Sequence, residues 1–178
     1  MERLIVIHES DIYPERTDID PKNFHVRSAA RAVVINKNNN VALLKANTYN
    51  YHKLPGGGVE EGEDMKQALK RELIEEIGCS ADVITEVGEI IEFRDEWGLK
   101  QTSHCYLVRQ TGDQQPPSFT QGEIDDGFEI VWANDIDEAI LLIAHDQPQN
   151  YDGYFIQRRD TTFLQAAKDL GIINQVNG

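Results

Sequence analysis

Covalent staples are nearly missing from this sequence. Its 178 residues include two cysteines, Cys79 and Cys105. That number excludes a disulfide framework, and the two do not form a CxxC pair. Both stand inside apolar patterns, so buried free thiols in a reducing compartment are expected. Long apolar runs are missing as well. None approaches a membrane span, and Leu4 to Ile7 is too short for a signal-peptide core. The expected location is the cytoplasm, away from a membrane. Positive charge is scarce: Lys and Arg total 17, Asp and Glu 31, and 17 − 31 leaves −14. A module that grips a long nucleic acid needs a basic face, and a polybasic membrane-surface protein needs the same. A small anionic substrate is not excluded, because a bound cation inverts the local field. Internal repeats and low-complexity tracts are also absent.

What is present is an ordinary soluble composition, 40% hydrophobic and 27% charged, at the length of one domain. Leu4 to His8 reads as a strand, and Ser10 to Phe24 as a loop. Arg27 to Ile35 and Val41 to Ala46 read as a hairpin around the turn signal Asn36-Lys37-Asn38-Asn39-Asn40. Leu54-Pro55-Gly56-Gly57-Gly58 is a breaker cluster. From Asp64 to Ile77, apolar residues at Met65, Leu69, Leu73 and Ile77 have helical spacing, and Gly78 is a stop. Val83 to Phe93, Thr102 to Val108 and Phe128 to Trp132 read as strands. Asn134 is a candidate cap for a helix over Asp135 to Ala144. Asp160 is a candidate cap for a last helix ending at Gly171, with Arg158 and Arg159 as surface residues before it. The order predicts an α/β (α+β) fold, a mixed sheet sandwiched between helices.

The informative stretch runs from Gly57 to Cys79. On a helix, Glu72, Glu75 and Glu76 share one sector of roughly 100°. Such pairs destabilise a bare helix by a few tenths of a kcal/mol each, about 0.2–0.5. A hard divalent cation with oxygen ligands is the simplest group to offset them. Leu69, Leu73 and Ile77 occupy the adjacent sector, which places the carboxylates at the edge of the buried face, near a cleft. The glycine run lets backbone approach closely and offers carbonyls as ligands. Glu63, before the helix, and Arg71, two turns in, are spaced for a bidentate tie between loop and helix.

These residues resemble the Nudix hydrolase signature, G-x5-E-x7-R-E-U-x-E-E-x-G-U with U a bulky aliphatic. Gly57, Glu63, Arg71, Glu72, Leu73, Glu75, Glu76 and Gly78 match in register, and Cys79 stands in the final aliphatic place as a small hydrophobe. Chance coincidence of the seven fixed residues is on the order of 10⁻⁹ to 10⁻⁸ per start position. The resemblance implies one Nudix-like domain over residues 1–178, with its core at about 27–144 and extensions at both ends. It implies a metal-dependent hydrolase that cleaves a pyrophosphate linkage in a nucleoside diphosphate joined to another group: a nucleoside triphosphate, a nucleotide sugar or a dinucleoside polyphosphate. Magnesium or manganese is the implied cofactor, and a homodimer is the common assembly of similar proteins.

By position, Glu72, Glu76 and the Gly56 carbonyl resemble metal ligands. Glu75 resembles a further ligand or a water-orienting base, and Glu63 with Arg71 a structural pair. The late-loop carboxylate such proteins use as base or ligand is expected at Glu123, with Asp125, Asp126 and Glu129 as alternatives. Arg31 interrupts an apolar strand, as an edge arginine or a contact to substrate phosphate. Tyr49, Tyr51 and His52 precede the glycine run and are placed to stack on a base or to pack in a hairpin. Glu60, Glu61 and Asp64 read as solvated helix-entry charge. His104 and Cys105 point to opposite faces of a strand and form no nucleophile pair. Trp97 reads as a lid or a loop anchor, and Thr111 to Gly122 as a shaper of specificity. The competing reading is a non-catalytic nucleotide sensor on the same fold, whose mark would be loss of a motif carboxylate; none is lost.

Overall fold

The two longest strands, β5 (Ser80–Arg94) and β6 (Leu99–Thr111), run antiparallel and carry the rest of the sheet on their outer edges. This is a computed structural model, and residues 1–173 are described. β1 (Arg3–Ile7) adds parallel to β5, and β2 (His25–Ile35) adds parallel to β6 along its whole length. β3 (Val41–Ala46) follows, paired on one side with β7 (Phe128–Ala133). The order is β1-β5-β6-β2-β3-β4, with β4 (Tyr51–Lys53) as a short strand on β3. The sheet is therefore mixed, as expected. Sequence spacing suggested a full β2–β3 hairpin, but the two strands meet only at Ile35 and Val41 and then part. The backbone groups that β2 would have offered β3 go to the glycine loop instead. Ala32 N donates to Pro55 O at 3.0 Å, Ala30 N to Gly57 O at 2.9 Å, and Val59 N to Ser28 O at 2.9 Å. The opening between β2 and β4 holds the site.

Helices cover both faces. On one face Val33, Ile35, Leu43, Ile90, Cys105 and Leu107 pack under α4 (Ile136–Ala144) and α5 (Tyr151–Asp169). On the other, Ala30, Ala32, Val34, Ala42, Leu44 and Val108 pack under α2 (Met65–Glu72). Two small helices, α1 (Glu9–Ile12) and α3 (Gln121–Asp125), lie in the connections. The first falls in the segment read as loop; it has too few apolar positions for a sequence period to register. Both cysteines are buried free thiols. Among the described residues no helix is long and apolar enough to cross a membrane.

Four local expectations need correcting. The predicted helix over 64–77 is α-helical only to Glu72 and finishes as a π turn, Leu73–Ile77, closed by Gly78 at φ 68°. A Cβ at Gly78 would overlap the Gln115 carbonyl, so only glycine allows this stop beside the 111–120 segment. Asp64 is more than solvated charge: it caps α2 in a reciprocal capping box with Gln67. Asp135 rather than Asn134 caps α4. Asp160 caps nothing. α5 starts at Tyr151 under an Asn150 cap, and Arg159 and Asp160 are buried mid-helix at 1% and 0% exposure. The physical reason is that the two pair with each other and each finds a further partner across the fold, Glu92 for Arg159 and the Leu54 N–H for Asp160, which the local pattern does not display.

Candidate active site

A polar cavity of about 300 Å³ opens between β2, β4, the glycine loop, α2 and α5. β4 sets its rim by strand alternation. Tyr51 and Lys53 point into it, while His52 points away. The His52 Nδ1 stands 2.8 Å from Asp146 Oδ1, and its backbone N–H donates to Asp146 Oδ2 at 2.5 Å. Burial, with Asp152 next in effect, pushes the Tyr51 hydroxyl up to about 12, so it stays a neutral donor at neutral pH. Tyr49 is absent from the lining.

The motif glutamates divide. Glu72 and Glu76 line the cavity with Gly56 and Gly57; Glu75 does not. Glu76 is 1% exposed. It accepts from Gly56 N at 2.5 Å and from Lys53 Nζ at 2.8 Å. Burial raises its pKa against the pull of Lys53. Glu72 accepts from Arg71 Nη1 at 2.8 Å and lies so close to Gly57 that any Cβ there would strike its carboxylate. Glu75 accepts from the same Arg71 nitrogen at 3.2 Å and sits at the surface side. Its carbonyl takes the Ser118 N–H at 2.7 Å, so the 111–120 segment docks on the π turn.

Arg71 is the brace. Its Nε and Nη2 donate to Glu63 at 2.7 and 3.0 Å, and Nη2 also reaches the Gly58 carbonyl at 3.0 Å. The guanidinium holds the Glu63 carboxyl down to about 2, aided by the Glu60 N–H. The loop and helix are thus tied as the spacing implied. The energetic argument from like charge changes, however. Arg71 and Lys53 already offset the helix carboxylates. Burial of Leu69, Leu73 and Ile77, at about 1.5–3 kcal/mol each, exceeds the pair repulsion several-fold. The helix therefore forms without a metal. Among the described residues no three acidic, His or Cys side chains converge closely enough to hold an ion as they stand. The donor set still fits a hard cation by its chemistry: two carboxylates, Glu72 and Glu76, and the Gly56 carbonyl face one cavity.

Of the four late-loop candidates, Glu123 lines the cavity. It is also the third residue of α3, where its carboxylate accepts from Thr120 N at 2.7 Å and Thr120 Oγ1 at 2.9 Å. Asp125 accepts from Gln121 at 2.8 Å, and Glu129 lies on β7 opposite Lys45. Asp126 is raised by burial and by its neighbours Asp125 and Glu123. Arg31 lines the cavity at 7% exposure and donates to the Gly56 carbonyl. Burial and the nearby Arg159 lower it to about 10, still charged at neutral pH.

Sequence reasoning missed the opposite wall: Arg27, Lys53, Arg94, Gln101, Asp152 and Arg159. Lys53 was findable as the residue two after Tyr51 on a strand. Arg27 was findable likewise, four residues before Arg31 on β2; Arg94, Gln101, Asp152 and Arg159 had no local signal. Glu92, with no exposure, accepts from Arg94 at 2.7 Å, Gln101 at 2.9 Å and Arg159 at 3.4 Å. Burial alone would raise Glu92, but Arg94 and Arg159 outweigh it and hold it near about 2. Arg159 also donates to Asp160 at 2.6 Å, and Asp160 accepts from Leu54 N at 2.8 Å. Through this chain α5 anchors the strand that leads into the glycine loop. Trp97 is 55% exposed and donates to Asp152 at 3.1 Å, which makes it a loop anchor at the rim.

Residues 25–157 match the sequence model of the NUDIX domain. An RNA pyrophosphohydrolase of Wolbachia pipientis is 35% identical over 95 residues, covering 50% of this chain and 55% of the relative. An oxidized purine nucleoside triphosphate hydrolase of Danio rerio is 32% identical over 108 residues, covering 56% and 65%. The chain thus spans about half to two thirds of these relatives. Nudix hydrolase 25 of Arabidopsis thaliana is 32% identical over 133 residues, covering 65% of this chain and 76% of the relative. Among solved structures, a NUDIX hydrolase from Nitrosomonas europaea superposes with a TM-score of 0.60 at 18% identity, over 83% of this chain and 89% of that one. The E. coli ORF135 protein gives 0.58 at 22%, over 83% and 92%. At these identities the superpositions speak to the fold alone.

Proposed function

The chain belongs to the Nudix family, and from that premise we propose that it hydrolyses a pyrophosphate linkage in a small nucleotide. The observation that carries the reading is the gathering of Glu72, Glu76, the Gly56 carbonyl and Glu123 in one cavity behind the Arg71 brace. Glu72 and Glu76 would hold magnesium or manganese, joined by the Gly56 carbonyl once Arg31 releases it. Bound there, such an ion neutralises phosphate oxygens and acidifies a water. Glu123, which lines the cavity, would take the proton of the attacking water, exchanging its Thr120 bonds for that water. Glu75 acts from outside the cavity, as a support for Arg71 or as a further ligand after a change of rotamer. Arg71 and Glu63 keep the glycine loop registered on α2, so that Glu72 stays against Gly57. The apolar side of Ile156 and the buried Tyr51 narrow the cavity and limit bulk water.

The activities of the similar proteins suggest where the substrate lies. Two act on oxidised or RNA-borne nucleotides with several phosphates. A nucleoside triphosphate is therefore the first substrate to try, ahead of nucleotide sugars and dinucleoside polyphosphates. The buried free thiols support a reducing, cytoplasmic setting. The test is a panel of nucleotide diphosphate derivatives incubated with magnesium or manganese, with products identified by mass. Cleavage between phosphorus atoms is expected. Absence of phosphorus-containing products across the panel with either ion sinks the proposal.

A further inference from the structure

Five basic side chains line the cavity of a chain whose net charge is −14. Three are matched by carboxylates: Lys53 by Glu76, Arg94 by Glu92 and Asp152, and Arg159 by Glu92 and Asp160. Arg27 and Arg31 have no ion-pair partner among the described residues. Both come from β2, four residues apart, and so share a face of the strand. Arg31 is 7% exposed, and its Nε is enclosed without an acceptor. Its one hydrogen bond goes to the Gly56 carbonyl, a neutral group. Glu76, Glu92 and Asp160 lie near enough to favour its charge, but each is engaged by another cation, so Arg31 has no direct counter-ion, and a buried cation so placed opposes folding. Its neighbours on the same face of the strand, Ala29 and Val33, are fully buried apolar residues, so the position itself accepts an apolar side chain. Arg27 lies at the outer end, its guanidinium against Gly58, where an added Cβ would come within 2.6 Å of Nη2. The two groups therefore flank the glycine loop, one at Gly56 and one at Gly58.

We propose that Arg31 and Arg27 form a two-point anion grip for the diphosphate of the substrate, Arg31 on the inner phosphate and Arg27 at the mouth. The planar guanidinium fork suits phosphate oxygens, and a phosphate supplies the direct counter-ion that Arg31 lacks. The inference rests on the reading of the cavity as a pyrophosphate-cleaving site. It goes further in naming the part of the substrate that is held and the residues that hold it.

The probe is inorganic imidodiphosphate, a P–N–P analogue, titrated with manganese and followed by calorimetry and thermal melting. The unmodified chain should bind it and melt higher. Arg31→Met should melt at or above the unmodified chain without ligand, because an unmatched buried charge is gone. Its Kd should rise about 10- to 100-fold. Arg31→Lys keeps the charge without the fork and should recover part of the affinity. Arg27→Gln, at an exposed position, should leave melting unchanged and weaken binding by up to about tenfold. If Arg31→Met melts several degrees lower yet binds normally, Arg31 is structural and the grip is wrong. If Arg31→Met does not fold, unaltered Kd values in both Arg31→Lys and Arg27→Gln overturn it equally. Failure of the unmodified chain to bind imidodiphosphate defeats the grip, whereas the pyrophosphatase reading stands or falls by the product panel.

Discussion

Replacing Arg159 by methionine tests whether the buried network behind the cavity holds the site together. Arg159 is 1% exposed, and its partners Glu92 and Asp160 have no exposure. Methionine fills much of the same volume without charge. The two carboxylates are not left wholly bare: Glu92 keeps Arg94 at 2.7 Å and Asp160 keeps Leu54 N at 2.8 Å. Breaking a buried pair by removing one partner costs about 3–5 kcal/mol, and the retained bonds place this case near the lower end. For a chain of this size, about 3 kcal/mol lowers the melting temperature by roughly 6–12 °C. The effect should also depend on pH. Arg94 and Arg159 overcome burial to hold Glu92 near about 2, below its ordinary 4.5. A carboxylate whose pKa is depressed on folding stabilises above its unfolded pKa, and that contribution fades as pH falls through the folded one. The gap between parent and Arg159→Met should therefore be widest near neutrality and narrow as the pH drops from about 4.5 towards 2. Calorimetric melts at several pH values would measure it, with Arg158→Met, one residue away and exposed, as a control that moves little. A variant that melts within about 2 °C of the parent at neutral pH, well short of the roughly 6–12 °C expected, would refute the reasoning. So would a gap of constant size across the acid range.

Three further outcomes are expected. Glu76→Gln keeps the shape and the Gly56 N–H contact but removes the charge that a cation needs, so turnover of the best substrate should drop at least about 100-fold with the fold intact by circular dichroism; unchanged turnover would contradict the metal assignment. Arg71→Ala unties Glu63, Glu72, Glu75 and the Gly58 carbonyl at once, and should lower melting by at least about 4 °C as well as activity; an unchanged melting curve would show that the brace is not structural. A mononucleotide-sized substrate should be cleaved with higher kcat/KM than triphosphorylated RNA, because the cavity is small and the acidic surface repels a long polyanion; the reverse ranking in a side-by-side assay would overturn this.

The motif helix shows how much could be read locally. Met65, Leu69, Leu73 and Ile77 select one buried face through a period that neighbours along the chain impose, and Asp64 and Gly78 mark its ends by their own side-chain and backbone chemistry. The tie between Glu63 and Arg71 was legible in the motif spacing, but it forms because Glu63 lies in the loop before α2, which folds back along the helix; two helical residues that far apart could not touch. Which glutamates enter the cavity was not legible. Glu72, Glu75 and Glu76 look equivalent in spacing. The π turn, the docked Ser118 and the glycine loop turn Glu72 and Glu76 inward and leave Glu75 outside.

The far wall lay further from reach. Arg94 and Asp152 are 58 residues apart and Leu54 and Asp160 are 106 apart, yet each pair is joined by a hydrogen bond. A lone Arg or Asp in sequence reads as surface, because an isolated charge belongs in water. Glu92 and Arg94 sit inside because sheet and helix order bring them Arg159 and Asp152. That order depends on the parallel docking of β2 on β6, a pairing between strands some 70 residues apart in the chain that no short-range period encodes. Local spacing was enough to determine the helix, its brace and the family of chemistry. The cavity, its unmatched arginine and its buried network exist only once distant charges are brought together out of solvent, where the counter-charge present decides each one's state.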